Sequence, residues 1–171
     1  IDRFPLFSRV ASRELATVRG MLADSVNTPA AHGVGRYFDA VGALGLGRLE
    51  ARYEGQVAME WNLAADPDED GHYAFAVGGA PGLSELDLRP AIRALAGELT
   101  TGVRPAVVSA RFHNTLAAAT MELIGLARRR SDDLPIVLTG GVFQNALLVE
   151  RVMRAAGPDA RVLRHAAVPP G

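Results

Sequence analysis

The sequence predicts an α/β fold, a mixed sheet with packed helices and a helix-rich N-terminal half. Three observations point there. Apolar residues recur close to every 3.6 positions over residues 6–26, at Phe7, Val10, Ala11, Leu15, Val18 and Leu22, and again over 105–130. The stretch HYAFAVG (72–78) alternates as a strand does. The tail reads strand (135–139), glycine turn (140–144), helix (145–156) and strand (160–165), which is the unit of a parallel sheet.

Taken in order, the 6–26 helix stops at Asn27-Thr28-Pro29, because a proline disfavours the helical conformation in the residue before it. A second helix is expected over 33–44 (GVGRYFDAVGAL), whose glycines suggest close approach of something to the backbone. Gly45–Arg52 reads as a connector and EGQVAMEWNLAA (54–65) as a third helix. The acidic run Asp66–Asp70 reads as a solvated loop and GGAPG (78–82) as a turn. Asp87 is placed to cap a helix beginning LRPAIRAL, with Pro90 tolerated in its first turn and Gly102 near its stop. The 105–130 helix carries a thin polar stripe (Arg111, Thr115, Glu122, Arg129), so most of it is expected to be buried. Residues 1–65 thus form a helical segment and 66–171 a sheet-and-helix segment.

Composition excludes several function classes. A chain of 171 residues suits one compact domain or one lobe of a larger one. A net charge of −1 leaves no electrostatic footprint for nucleic acid or an anionic membrane. No apolar run approaches the roughly 18–20 residues needed to span a bilayer, and no signal-peptide pattern is seen, so a cytoplasmic location is expected. All 18 basic residues are arginine, which removes a P-loop, Schiff-base or general-base lysine. Without cysteine there is no disulfide, thiolate nucleophile or Cys-ligated zinc in these residues. His32, His72, His113 and His165 are too far apart for a His-x3-His metal pair. Ile1 and Pro169-Pro170-Gly171 read as cut ends of a longer protein.

The chemically suggestive stretch is PIVLTGGVFQNALLVERV (135–152), where an apolar run stops at Gly140-Gly141 and helical spacing resumes. A strand feeding a helix through two glycines is a generic anion-binding arrangement. Unpaired N–H groups and a partial positive charge mark the helix start, and absent side chains let a phosphate reach the backbone. The same glycines would equally serve a turn needed only for its backbone angles. Thr139 and Asn145 flank it with groups able to bond a ribose or phosphate oxygen, and Asn145 equally suits a helix N-cap.

The wider pattern is more specific. TGGVFQNALLVERV resembles the SGGVFQN segment of the HypF family, the carbamoyltransferases of nickel–iron hydrogenase maturation. PAVVSARFHNTLA (105–117) resembles that family's RFHNTLA helix. NTPAAHGVGRYFDAVGALGLG (27–47) followed by ARYEGQVAMEWNLAA (51–65) resembles its GRLFDAVAALLG and SYEGQAAMELE segments. RVLRHAAVPPG (161–171) resembles the start of its VPPGDGG ending. These stretches lie in the family's order and touch nearly the whole chain. The tRNA threonylcarbamoyl transferases share the framework more distantly. The resemblance implies a fragment of a Kae1-like carbamoyltransferase domain, one lobe of an actin/Hsp70-like (ASKHA) ATPase fold that holds nucleotide between two lobes.

Matching positions carry roles across. Asp39 of GRYFDA corresponds to the aspartate that holds the adenosine ribose in the distant relatives, and a carboxylate can accept from both ribose hydroxyls. Gly35 and Gly55 fall where relatives need close approach to the nucleoside, and Glu60 lies near the adenosine by analogy. Gln56 replaces the second glycine of the YPGG pattern in the tRNA-modifying relatives, a departure that HypF-like proteins share. Gly140, Gly141 and Asn145 map onto the phosphate and nucleoside loop. Arg36 is expected to pair with Asp39 across i,i+3, with a phosphate contact as the alternative. His113 shares a helix face with Ala106, Ala110, Ala117 and Met121, and reads as a tightly packed structural residue with one satisfied hydrogen bond. Tyr37, Phe38 and Trp61 read as core, and His32 receives no role.

The resemblance implies that the whole protein uses carbamoyl phosphate and ATP to form carbamoyl-adenylate. It then passes the carbamoyl group to the C-terminal cysteine of a HypE-type partner. The family's acylphosphatase-like module, zinc fingers and adenylating domain have no counterpart here, nor has its His-x3-His motif for a divalent metal. This piece alone is therefore expected to be inactive, and its exposed surfaces could support a dimer. Other readings are an O-carbamoyltransferase of the same fold, a non-catalytic nucleotide- or partner-binding lobe, or a helical scaffold in which Gly140-Gly141 is only a turn.

Overall fold

Proline and glycine placement decides where the helices of the computed structural model begin and end; it describes residues 4–79, 82–130 and 134–167. The N-terminal stretch is not one helix over 6–26. A 3-10 turn, Pro5–Arg9, precedes α1, Ser12–Ala23. The break falls at Val10 and Ala11, both extended (ψ 135° and 137°). Pro5 opens the turn, where its missing N–H leaves no bond unmade. No residue of α1 is buried, and Val18, Leu22 and Val26 form an exposed apolar stripe at four-residue spacing.

Helix α2, Val34–Leu46, runs past its expected end and takes in Gly45, stopping at left-handed Gly47 (φ 64°). Packing explains the extension. Helix α3, Gln56–Leu63, lies against α2, and a Cβ on Gly45 would sit 2.3 Å from the Trp61 ring. A Cβ on Gly42 would meet Val57 at 2.8 Å. What approaches the C-terminal half of α2 is therefore the indole of Trp61, which is fully buried. Helix α3 starts later than residue 54 because Gly55 caps it in the left-handed region (φ 80°).

Strand β1, Ala76–Gly78, pairs antiparallel with β2, Glu85–Asp87, placing Val77 opposite Leu86. The expected strand 72–78 is shorter because the Tyr73 N–H goes to Thr115 Oγ1 (2.9 Å) instead of a neighbouring strand. The GGAPG turn includes residues 80 and 81, outside the described residues. Leu88, not Asp87, is the N-cap of α4, Arg89–Thr100, although Asp87 Oδ1 still accepts the Arg89 N–H at 2.9 Å.

Helix α5, Pro105–Arg128, is largely buried, as its composition suggested. Its polar stripe does not face solvent throughout: Thr115 is buried and Arg111 binds Glu98 (2.7 Å) and Glu69 (3.3 Å). The acidic segment is correspondingly not a free loop. Arg104 pairs with Asp66 at 2.9 Å, Asn114 donates to the Glu69 and Gly71 carbonyls, and buried Arg151 donates to the Pro67 carbonyl. The Gly71 N–H and the Arg111 guanidinium hold the Glu69 carboxyl below its ordinary pKa.

The tail follows its expected order. Strand β3, Ile136–Leu138, leads into a 3-10 turn, Gly141–Gln144, then α6, Ala146–Ala156, and β4, Val162–Arg164. Strands β3 and β4 are parallel, with Ile136 opposite Val162. Ile136 and Leu138 face the core while Val137 is exposed. Phe38 of α2 and Phe112 of α5 meet edge-on at 5.2 Å, which ties the N-terminal helices to the longest one. No helix of the described residues is long and apolar enough to cross a membrane.

Candidate functional site

Four segments far apart in sequence converge on a cavity of about 610 Å³. The first two turns of α2 bring Gly35, Arg36 and Asp39; the 53–55 turn and α3 bring Tyr53, Gly55, Met59 and Asn62; the glycine turn brings Gly141 and Val142; the start of α6 brings Asn145. Of the seven residues expected at a nucleotide site, five line this space: Gly35, Asp39, Gly55, Gly141 and Asn145.

Two do not. Glu60 is not among the lining residues; its Oε1 accepts from Arg48 (2.7 Å) and Gln56 Nε2 (2.9 Å). It holds the 48–56 connector in place, because Gln56 Oε1 in turn takes the Arg52 N–H at 2.7 Å. Gly140 stands just behind the lining at φ 92°, ψ 158°, a conformation that L side chains rarely adopt. Its requirement is conformational. The two glycines thus divide the explanations that sequence left open, one turning the chain and the other facing the open space.

The surface at Gly141 is bare. A Cβ there would meet nothing within 4 Å, and the same holds at Gly35 and Gly55. The first hydrogen bond of the 3-10 turn runs from Phe143 N–H to the Gly140 carbonyl, so the N–H groups of Gly141 and Val142 have no acceptor within the turn. Opposite them, Arg36 pairs with Asp39 at 3.0 Å through Oδ2, the expected i,i+3 pair, leaving Oδ1 uncommitted to it.

Asn145 is the N-cap of α6, its Oδ1 accepting the Leu148 N–H at 3.0 Å. Its amide nitrogen lies 2.9 Å from Nε2 of His113. His113 is fully buried in α5, and Nδ1 sits 2.7 Å from the Ser109 carbonyl. A carbonyl only accepts, so Nδ1 carries the proton and Nε2 accepts from Asn145. Burial, reinforced by the positive charge of Arg151, pushes this imidazole down to about 4, against the weaker pull of the Ser109 bond. His113 is core as expected, but its second hydrogen bond reaches the site. No sequence signal gave that link, since 32 residues separate the partners. Trp61 and Phe38 are core as well.

Another cavity, of about 620 Å³, lies beyond the glycine turn among Leu138, Phe143, Val149, Met153, Arg164 and His165. None of the seven expected residues lines it. Thr139, expected near ribose or phosphate, instead bonds His165 Nε2 at 3.0 Å. Among the described residues no three His, Cys, Asp or Glu side chains come together as metal ligands. The donor set for the divalent metal implied by the resemblance is therefore not found in them, and no step is derived through a metal.

Known proteins are similar to this chain in sequence and fold. Residues 3–171 fit the family described as carbamoyltransferase, Kae1-like domain, second subdomain. The crystal structure of full-length HypF in the phosphate- and nucleotide-bound form is similar over 98% of this chain, at 30% identity and TM-score 0.88. Carbamoyltransferase HypF2 of Cupriavidus necator is 30% identical over 90% of the chain, and carbamoyltransferase HypF of Rhizobium leguminosarum bv. viciae 32% over 79%. The chain spans 22% and 17% of those two relatives and 26% of the crystallised one.

Proposed function

The chain belongs to the HypF carbamoyltransferase family, as the second subdomain of its Kae1-like domain, and from that premise we propose that its α2–α3–α6 cavity holds the adenylate during carbamoyl transfer. The observation that carries this reading is the gathering of Gly35, Asp39, Gly55, Gly141 and Asn145 around one open space. Backbone amides of Gly141 and Val142 face developing or resident phosphate charge without side-chain obstruction. Asp39 Oδ1 accepts from ribose hydroxyls, while Arg36 holds Oδ2 and offers its remaining guanidinium N–H groups to phosphate. Fixing the adenylate in this way orders its acyl group for attack.

In the whole protein, water cleaves carbamoyl phosphate to carbamate and inorganic phosphate, and the carbamate oxygen attacks the α-phosphate of ATP to give carbamoyl-adenylate and pyrophosphate. The acceptor thiolate of a HypE-type partner then attacks the carbamoyl carbon and AMP leaves. The absence of cysteine from this chain fits a thiol supplied in trans. A divalent metal, zinc fingers and a cytoplasmic setting belong to the same reading of the full-length protein. The supporting relative is the HypF crystallised with phosphate and nucleotide.

The test is AMP binding by the full-length protein, measured calorimetrically. Gly141→Val places a branched side chain in the open space and is expected to weaken AMP by about 100-fold while leaving the fold intact. Unchanged affinity in the folded variant removes the phosphate role from this turn.

A further inference from the structure

We propose that His113, which does not touch the cavity, is a positioning residue for the nucleotide site: its neutral ring sets which way the Asn145 amide faces. The inference rests on the nucleotide reading of the cavity given above. Its structural basis is a continuous run of hydrogen bonds between three helices. Ser109 Oγ of α5 donates to the Trp61 carbonyl of α3 at 2.5 Å. The Ser109 carbonyl accepts Nδ1–H of His113 at 2.7 Å, and His113 Nε2 accepts Nδ2–H of Asn145 at 2.9 Å. Asn145 Oδ1 then accepts the Leu148 N–H of α6 at 3.0 Å.

An asparagine amide has two faces that differ only in which end donates. Here both ends are specified by partners that cannot exchange roles. The Leu148 N–H requires the oxygen, and an imidazole with Nδ1 protonated requires the nitrogen. One Nδ2–H and one Oδ1 lone pair remain to be offered to the cavity, in a fixed orientation. An imidazolium would break this order, because Nε2–H would then confront the Asn145 N–H groups. Phe38 of α2 packs on the ring at 5.1 Å, and Arg151 of α6 is the charged group acting on it; both oppose that imidazolium. Ser109 and Thr115 supply no charge from α5 itself.

The experiment uses the full-length protein with 15N-labelled histidine. The expected spectrum at neutral pH shows His113 neutral, protonated at Nδ1 and bare at Nε2. In Asn145→Asp the cap to Leu148 is kept but an acceptor now faces Nε2, so His113 is expected to take up a second proton at the same pH. An Nε2-protonated ring in the parent protein, or a neutral ring in Asn145→Asp, overturns the inference whether or not nucleotide binds. AMP affinity supplies the second readout. His113→Asn keeps a donor near Nδ1 and loses the acceptor for Asn145, and is expected to weaken AMP about tenfold. His113→Gln restores an acceptor near Nε2 and is expected to recover most of that loss. Equal affinities for the parent and both folded variants overturn the inference. Failure of the parent protein itself to bind AMP would sink the nucleotide reading, leaving the spectra to judge the His113–Asn145 link.

Discussion

Glycine is used differently in two regions of the molecule: a packed floor, the α2–α3 interface that lies outside the cavity lining, and the rim of the cavity itself. On the floor, Gly42 and Gly45 of α2 are spaces already filled, by Val57 and by the Trp61 ring. At the rim, Gly35 of the same helix, Gly55 and Gly141 are spaces left open. Three turns of α2 thus carry one residue type in two opposite uses. The difference teaches that a glycine's chemistry lies in what occupies the missing side chain's place. Floor substitutions should cost stability first, whereas substitutions at the rim glycines without a positive φ, Gly35 and Gly141, should cost affinity without costing stability.

The largest expected effect lies in the packed interior, at His113 of α5, and depends on pH. His113 titrates at about 4 in the fold, against an ordinary value of 6.5. Between those values the unfolded chain binds the proton and the native one does not. Stability from this group is therefore complete above about pH 6.5 and is lost as pH falls toward 4, by on the order of 3 kcal/mol. The groups concerned are His113, Arg151 of α6, and the uncharged Asn145 and Phe38 that face the ring. Urea unfolding at a series of pH values should show this slope, and His113→Gln should flatten it. A slope unchanged in the variant would assign the acid sensitivity to other groups.

Next in size is Gly45→Ala. The new methyl would lie 2.3 Å from a ring that is fully buried and has nowhere to retreat. Overpacking of this kind costs about 1–3 kcal/mol, more than the helix propensity that alanine adds. Denaturant midpoints measure it, and AMP affinity of the folded fraction is expected to stay within about twofold of the parent. A variant as stable as the parent would mean that the two helices separate without cost.

Much of this was legible in the sequence, and the misses share a physical cause. Periodicity and prolines located five of the six α-helices among the described residues closely, and the strand–glycine–helix–strand tail stands as read. Five of the seven residues singled out by family likeness line one cavity. What failed was anything decided by long-range partners. Glu60 sits in a helix beside the cavity, but Arg48 and Gln56 capture its carboxylate. The acidic run 66–70 looks solvated by composition, yet Arg104, Arg111 and Asn114 hold it to the long helix and Arg151 holds it to α6. Within the RFHNT stretch, Arg111 and Thr115 read as a polar stripe and His113 as a packed residue with one hydrogen bond. In fact Arg111, Asn114 and Thr115 bind the 69–73 segment, at Glu69, Gly71 and Tyr73, while His113 reaches Asn145 at the start of α6. Even the end of α2 was misjudged because Trp61, sixteen positions after Gly45, was invisible to a local window.

Gly35→Ala gives the smallest effect on stability and the sharpest separation of rim from floor. Gly35 lies in the first turn of α2 with no positive φ and with nothing within 4 Å of where a Cβ would stand. Alanine loses less backbone freedom on folding than glycine, so the variant should gain up to about 0.5–1 kcal/mol. Its methyl also enters the wall beside Asp39, where the proposed ribose lies, and AMP affinity should fall about tenfold. Urea unfolding and calorimetry on the same sample read the two quantities separately. A rise in stability with a fall in affinity is the signature of a surface kept bare for a ligand. If stability rises and AMP binds as before, the open space at Gly35 is not part of the nucleotide contact, and the site contracts to Asp39 and the Gly141 turn.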